Sequence, residues 1–110
     1  MPTGAGEQIR SQVTSWPGVT PHEHRFGGLE YRIGRIELGH VHGDRLVDLP
    51  FPRKLRDELI AEGRAEPHHV LSDSGWVSRY LISDEDVDDA VALFRLNYDR
   101  VMLRRSTRKA

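Results

Sequence analysis

LEYRIGRIELGHVHGDRLVDLPFP, Leu29 to Pro52, reads as strand, turn, strand, turn, strand. Leu29, Tyr31 and Ile33 alternate with Glu30 and Arg32, which is the period of a half-buried strand. Gly34-Arg35 marks a turn. Beyond it Ile36, Leu38, His40 and His42 fall on one strand face, and Glu37, Gly39 and Val41 on the other. On this reading the two histidines sit at the rim of the core. Gly43-Asp44 is the next turn signal, and Arg45–Leu49 pairs back as a further strand. Upstream, the run Val19–Phe26 ends at Gly27-Gly28. A two-residue Gly-Gly link suits a type I′ hairpin, because both central positions need φ > 0. Three tight turns in succession predict an antiparallel meander of about four strands.

Outward from the meander the pattern changes to helices. Pro50-Phe51-Pro52 ends the sheet run, and Pro52 suits a first helical turn, where its missing N–H costs nothing. The helix that follows turns Leu55, Leu59 and Ile60 inward and stops at Gly63. A polar loop, GRAEPHHVLSDSG, leads to a last strand over Trp76–Ile82, with Trp76, Ser78 and Tyr80 on one face. Ser83 then opens a long helix with Asp86 as its capping-box partner. Val87, Ala90, Val91, Phe94, Tyr98, Val101 and Met102 recur at three and four, an amphipathic stripe. Before the meander, Ile9, Val13 and Trp16 form the stripe of a short helix that Pro17-Gly18 stops. The expectation is one α+β domain over 1–110. It has an antiparallel sheet of about five strands, a meander plus a late strand, flanked by helices. Residues 1–6 and the basic end 104–110 are expected to be flexible.

Composition excludes several functions. With 37% apolar and 30% charged residues the chain is not of disordered composition. A net charge of −1 gives no global attraction to nucleic acid or to anionic membrane. The absence of cysteine excludes disulfides, thiolate nucleophiles and cysteine zinc sites. The opening MPTGAGEQIR has no apolar run and does not read as a signal peptide. No segment approaches the ~20 apolar residues of a membrane span. A cytoplasmic location is expected, with no membrane partner.

Six histidines remain to be placed. His40 and His42, in GHVHGD, share a strand face about 6.5–7 Å apart along the chain. Such a pair can transfer protons, line a polar pocket or share a metal; it can equally be two hydrogen-bonded histidines beside a turn. His68 and His69 sit in EPHHVLSDSGW. Adjacent side chains on an extended segment point opposite ways, so at most one of them faces a given site. Asp73-Ser74-Gly75 is a good turn and Trp76 a good core anchor. His22 and His24, in PHEHRF, read as surface. Zinc held by His40, His42 and one of His68 and His69, with water as fourth ligand, would suit catalysis. No recognised ligand spacing is present, so no metal ligand is assigned and folding is not expected to require a metal. Ser74 lacks the G-x-S-x-G elbow of a hydrolase nucleophile.

These motifs have a family likeness. The run from Leu29 to Arg100 resembles the luciferase domain-containing proteins, bacterial relatives of the fungal luciferases. The motifs that carry it are GH-x-HGD (Gly39–Asp44), DLPFP (Asp48–Pro52), PHH-x-L-x-DSGW (Pro67–Trp76) and FRL-x-Y (Phe94–Tyr98). Ser72 departs from the pattern, where proline is expected. The resemblance implies a cofactor-independent oxygenase acting on a hydroxylated pyrone. The fungal enzymes are longer and carry a membrane-associating N-terminal segment. The strand–helix pattern at the end is also similar to the MmcQ/YjbR-like double-wing domains, which implies an antiparallel sheet flanked by helices and a DNA-binding role.

Together the residues and the resemblance place a site at His40, His42, Asp44, His68, His69 and Asp73, with Glu37, Arg45, Ser74 and Trp76 contacting the ligand. His40, His42 and one of His68 and His69 are expected to converge on one pocket. Asp44 or Asp73 would orient an imidazole, and Trp76 would form a wall. The expected partner is a small phenolic or pyrone-like molecule, bound or oxidised without a cofactor. The alternative is a noncatalytic interaction module that binds nucleic acid through its sheet, against which the overall charge argues.

Overall fold

A computed structural model describes residues 3–24 and 27–109. Helix α1 (Ala5–Val13) precedes strands β1 (Val19–Glu23), β2 (Leu29–Ile33), β3 (Ile36–His42) and β4 (Leu46–Pro50). Helix α2 (Arg53–Ala61), strands β5 (Glu66–Pro67) and β6 (Trp76–Tyr80), and helix α3 (Asp84–Lys109) complete the order. All strand pairs are antiparallel, in the order β1-β2-β3-β4-β6-β5. The α+β class and the meander are as the glycines and alternation predict, and the two-residue β5 is an addition at the edge.

The core lies on one face of the sheet. The cross-strand pairs Tyr31–Gly39, Val41–Val47 and Leu49–Val77 face inward, against Leu93, Phe94 and Val101 of α3 and Ile9 and Val13 of α1. Leu59 of α2 joins the same core. Phe94 meets Tyr31 edge to face at 5.8 Å, the arrangement favoured by the ring quadrupoles. The Ser83–Asp86 capping box forms, with the Ser83 N–H donating to Asp86 Oδ2 at 2.9 Å. Among the described residues no helix is long and apolar enough to cross a membrane.

Three expectations change. First, α1 begins at Ala5 and α3 continues through Lys109, so residues read as loose at both ends are helical. Asp44 accounts for the first of these, because its carboxylate accepts the Gly6 N–H at 2.8 Å and so satisfies an open donor of the first turn of α1. Second, Glu23 pairs with Leu29, so the first hairpin turn is longer than Gly27-Gly28. The expected strand residues Arg25 and Phe26 lie outside the described residues.

Third, the alternation through β3 breaks at a bulge. Tyr31 pairs with Gly39 but Arg32 with Glu37, leaving Leu38 as the extra residue. Leu38 is buried in the core, and its carbonyl accepts a 2.8 Å hydrogen bond from buried Asn97 of α3. Gly39 therefore faces the helices, at φ 157°; a Cβ there would lie 2.9 Å from the Phe94 ring and 2.8 Å from the Asp48 carbonyl. His40 and His42 are thrown onto the opposite face from Leu38. They do not line the rim of the core but stand on the other side of the sheet.

Candidate functional site

The bulge leaves a polar row across the far face: Glu30, His40, Asp48, Ser78 and Glu66 are successive cross-strand partners on β2, β3, β4, β6 and β5. Antiparallel register brings such side chains within reach of one another. The loop between β5 and β6 folds over this row and brings in His68 and His69. Its path is held by α2, where Arg56 donates to the Ser72 carbonyl at 2.7 Å and Arg53 to Asp73 Oδ1 at 2.9 Å. Gly75 permits the close approach of β6 to Phe51, since a Cβ there would sit 2.2 Å from the Phe51 carbonyl oxygen.

Asp48 is the centre of the arrangement. Its carboxylate is 0% exposed, and Ser78 Oγ donates to Oδ1 at 2.6 Å. Its Oδ2 lies 3.1 Å from His40 Nε2, 3.0 Å from His42 Nε2 and 3.5 Å from His68 Nε2. Burial alone would raise the Asp48 pKa, but the hydrogen bonds from His40 and Ser78 and the charge of His40 bring it down to about 2. The group is therefore an acceptor, and each of these neighbours must present a proton to it.

That requirement assigns the tautomers. His40 is 7% exposed, and its Nδ1 lies 2.7 Å from Glu37 Oε2 while its Nε2 faces Asp48. Burial opposes charge on this ring, but the two carboxylates outweigh it and raise its pKa to about 9. His40 is an imidazolium at neutral pH. His68 Nδ1 accepts the backbone N–H groups of Val70 and Leu71 at 3.1 and 2.9 Å, so its single proton sits on Nε2, toward Asp48. Burial lowers the His68 pKa, and the ring is neutral. His69 Nδ1 lies 3.3 Å from Ser78 Oγ, whose own proton is committed to Asp48. His69 Nδ1 therefore donates, so that in the neutral tautomer the lone pair is the one on Nε2. This ring is also the open one, with its side chain 38% exposed.

In front of these groups lies a cavity of about 460 Å³, lined by the four histidines, Asp48, Glu37 and His24, with Trp76, Val70 and Leu71 as apolar wall. His40 tilts against Trp76 at 5.3 Å, and His68 against it at 6.0 Å. The structure thus brings together His40, His42, His68, His69, Glu37 and Trp76 from the sequence-predicted set. Both histidines of the His68-His69 pair reach the cluster, stacked at 4.2 Å, because the chain bends there instead of continuing as a strand.

Four predicted residues lie elsewhere. Asp44 caps α1, Asp73 is 94% exposed and pairs with Arg53, and Arg45 is exposed. Ser74 closes the loop on itself, its hydroxyl donating to the Leu71 carbonyl at 2.6 Å. The orienting carboxylate is Asp48, and neither Asp44 nor Asp73. Asp48 and Ser78 were missed, although a lone carboxylate inside LVDLP, opposite His40 once the turn is counted back, was the available signal. His24 was read as surface. It is half-buried, stacked on His40 at 4.0 Å and paired with Glu30 at 2.9 Å.

Among the described residues, three donor sets could hold a metal: His40, His42 and Asp48; Asp48, His68 and His69; and His24, Glu37 and His40. A family model, the Luciferase domain, matches residues 35–97. The matched segment carries the whole Asp48 cluster and leaves α1, β1 and β2 outside. No curated protein and no solved structure matches the chain.

Proposed function

The chain belongs to the Luciferase domain family, and from that premise we propose that its histidine-lined cavity binds a small phenolic or pyrone-like compound and removes its acidic proton. One observation carries this reading: ionisable groups of assigned protonation converge on a cavity that also has an aromatic and aliphatic wall. Its volume, about 460 Å³, falls within the range typical of small-molecule sites. His69 Nε2 is the base, because its lone pair faces away from Ser78. The imidazolium that forms is stabilised by Asp48 through the Ser78 hydroxyl, the role of the orienting carboxylate in hydrolase triads. The His40 cation favours the ligand's anion electrostatically. Trp76, Val70 and Leu71 hold the ring of the ligand. Loss of the proton makes the ligand more electron-rich, the direction that any later oxidation by O₂ would need.

The test uses a chromophoric hydroxypyrone or nitrophenol, added at a pH below the compound's own pKa. The expected result is the absorption band of the anion on the protein, with His69→Gln binding the compound in its neutral form. Absence of binding, or a neutral band on the unaltered protein, overturns the proposal.

A further inference from the structure

Independently of that reading, we infer that the Nε2 atoms of His40 and His42 and the Oδ2 atom of Asp48 form a binding site for one divalent first-row transition-metal ion. The three residues offer donor atoms that lie within 4.8 Å of one another. His40 and His42 lie on β3 and Asp48 on β4, and both imidazole nitrogens approach the same carboxylate oxygen, at 3.1 and 3.0 Å. Metal–ligand bonds of about 2.0–2.2 Å place neighbouring donor atoms about 2.8–3.1 Å apart at octahedral angles and about 3.3–3.6 Å apart at tetrahedral ones. The two observed separations have the octahedral spacing. The two rings stand nearly perpendicular, at 89°, so they do not block one another's access to a common ion.

The outer contacts fit as well. A ligating histidine normally donates its other N–H to a carboxylate, which fixes the ring and raises its basicity. His40 Nδ1 has that partner in Glu37 Oε2 at 2.7 Å. Asp48 is likewise held, by Ser78 on the oxygen that faces away from the two histidines. Charge points the same way. Glu37 and Asp48 bring two carboxylates to the His40 ring. A dication bound with His40 neutral balances both. Two histidines and one carboxylate leave coordination positions open toward the cavity, as in sites where the ion also meets a ligand.

The two other donor sets are less suited. In the set of Asp48, His68 and His69, the His68 Nδ1 already accepts two backbone N–H groups. Its single proton is thereby held on Nε2, whereas His40 can give up its Nε2 proton to an ion and keep the one on Nδ1 toward Glu37. In the set of His24, Glu37 and His40, the Glu37 carboxylate and His40 Nδ1 are 2.7 Å apart, closer than two ligands of one ion stand. The resemblance to cofactor-independent enzymes implies no ion; the inference rests on the donor atoms of this chain alone.

The experiment uses the tag-free full chain, stripped with a chelator and titrated with Zn(II) by calorimetry and with Co(II) by absorption spectroscopy. One equivalent of each is expected, with Co(II) giving d–d bands of nitrogen and oxygen ligation. His42→Gln and Asp48→Asn should each weaken binding by at least about 100-fold, and Glu37→Gln by about 10–100-fold. His69→Gln should leave it within a few-fold. His42 is only half-buried, so its variant remains informative if Asp48→Asn does not fold. A Zn(II) dissociation constant above about 0.1 mM for the unaltered chain overturns the inference. So does loss of binding in His69→Gln equal to that in His42→Gln. If the stripped protein binds the phenol probe but no metal, this inference fails and the proposed function stands; metal binding without phenol binding separates them the other way.

Discussion

Ser78 donates its hydroxyl proton to Asp48 across 2.6 Å, with both side chains fully buried, and that bond governs the rings around it. With the Ser78 proton committed, His69 Nδ1 must donate to Ser78 Oγ, leaving its Nε2 as acceptor. A residue with no titratable group of its own thereby sets which nitrogen of a histidine is basic. Ser78→Ala should leave ligand binding near its original level but lower turnover or ligand deprotonation by about 10–100-fold, because the base loses its orientation. Parallel measurements of affinity and rate check this; an unchanged rate contradicts the relay.

Removing the hub should be costly. Asp48→Ala leaves Ser78 and His40 without their buried acceptor, and breaking a buried charged pair on one side costs about 3–5 kcal/mol. Against a total stability of about 5–15 kcal/mol this is severe. Urea unfolding of the metal-free protein measures it, and a loss below about 1 kcal/mol would show that the network is not held by Asp48.

Stability should depend on pH on both sides of neutrality. The His40 pKa, about 9, stands above the ordinary 6.5, so its contribution is complete below 6.5 and is lost as pH rises through 9. The Asp48 pKa, about 2, stands below 3.8, so its contribution is present above 3.8 and is lost as pH falls toward 2. With chelator present, unfolding free energy should decline by on the order of 1–3 kcal/mol on the alkaline side. His40→Gln should remove that alkaline decline. A flat profile between pH 6.5 and 9 in the unaltered protein contradicts the assigned cation.

Asn97 lies on α3, yet it decides the direction of the histidines. Its amide holds the Leu38 carbonyl at the β3 bulge. Asn97→Ala leaves that buried acceptor unpaired, at about 1–3 kcal/mol, and removes the bond that favours the bulge. Weaker ligand binding in a still-folded variant is the expected result, measured by calorimetry beside circular dichroism.

The same residue shows where sequence reading ends. The meander, the α2 start at Pro52 and the Ser83 cap are local signals and were legible. That His40 and His42 meet one of His68 and His69 was legible from strand period and loop composition; that both loop histidines reach the cluster was not, because it depends on the bend of the chain at that pair. The face that His40 occupies was not, since it depends on Leu38 being captured by a side chain 59 positions away. Asp48 was hidden for a related reason. LVDLP reads as a core strand, while Asp44 and Asp73 stand beside the histidines in sequence. Cross-strand register brings Asp48 opposite both His40 and Ser78, and sends Asp44 to α1 and Asp73 to α2. His24 reads as surface because PHEHRF is a polar run, and its stacking on His40 comes only with the fold.

The most direct measurement is long-range ¹H–¹⁵N correlation of the histidine rings in metal-free protein at neutral pH. His40 should carry protons on both nitrogens, His68 on Nε2 alone, and His69 on Nδ1 alone. A neutral His40, or a His69 ring protonated on Nε2 and bare on Nδ1, would contradict a pocket organised by Asp48 with His69 as its base.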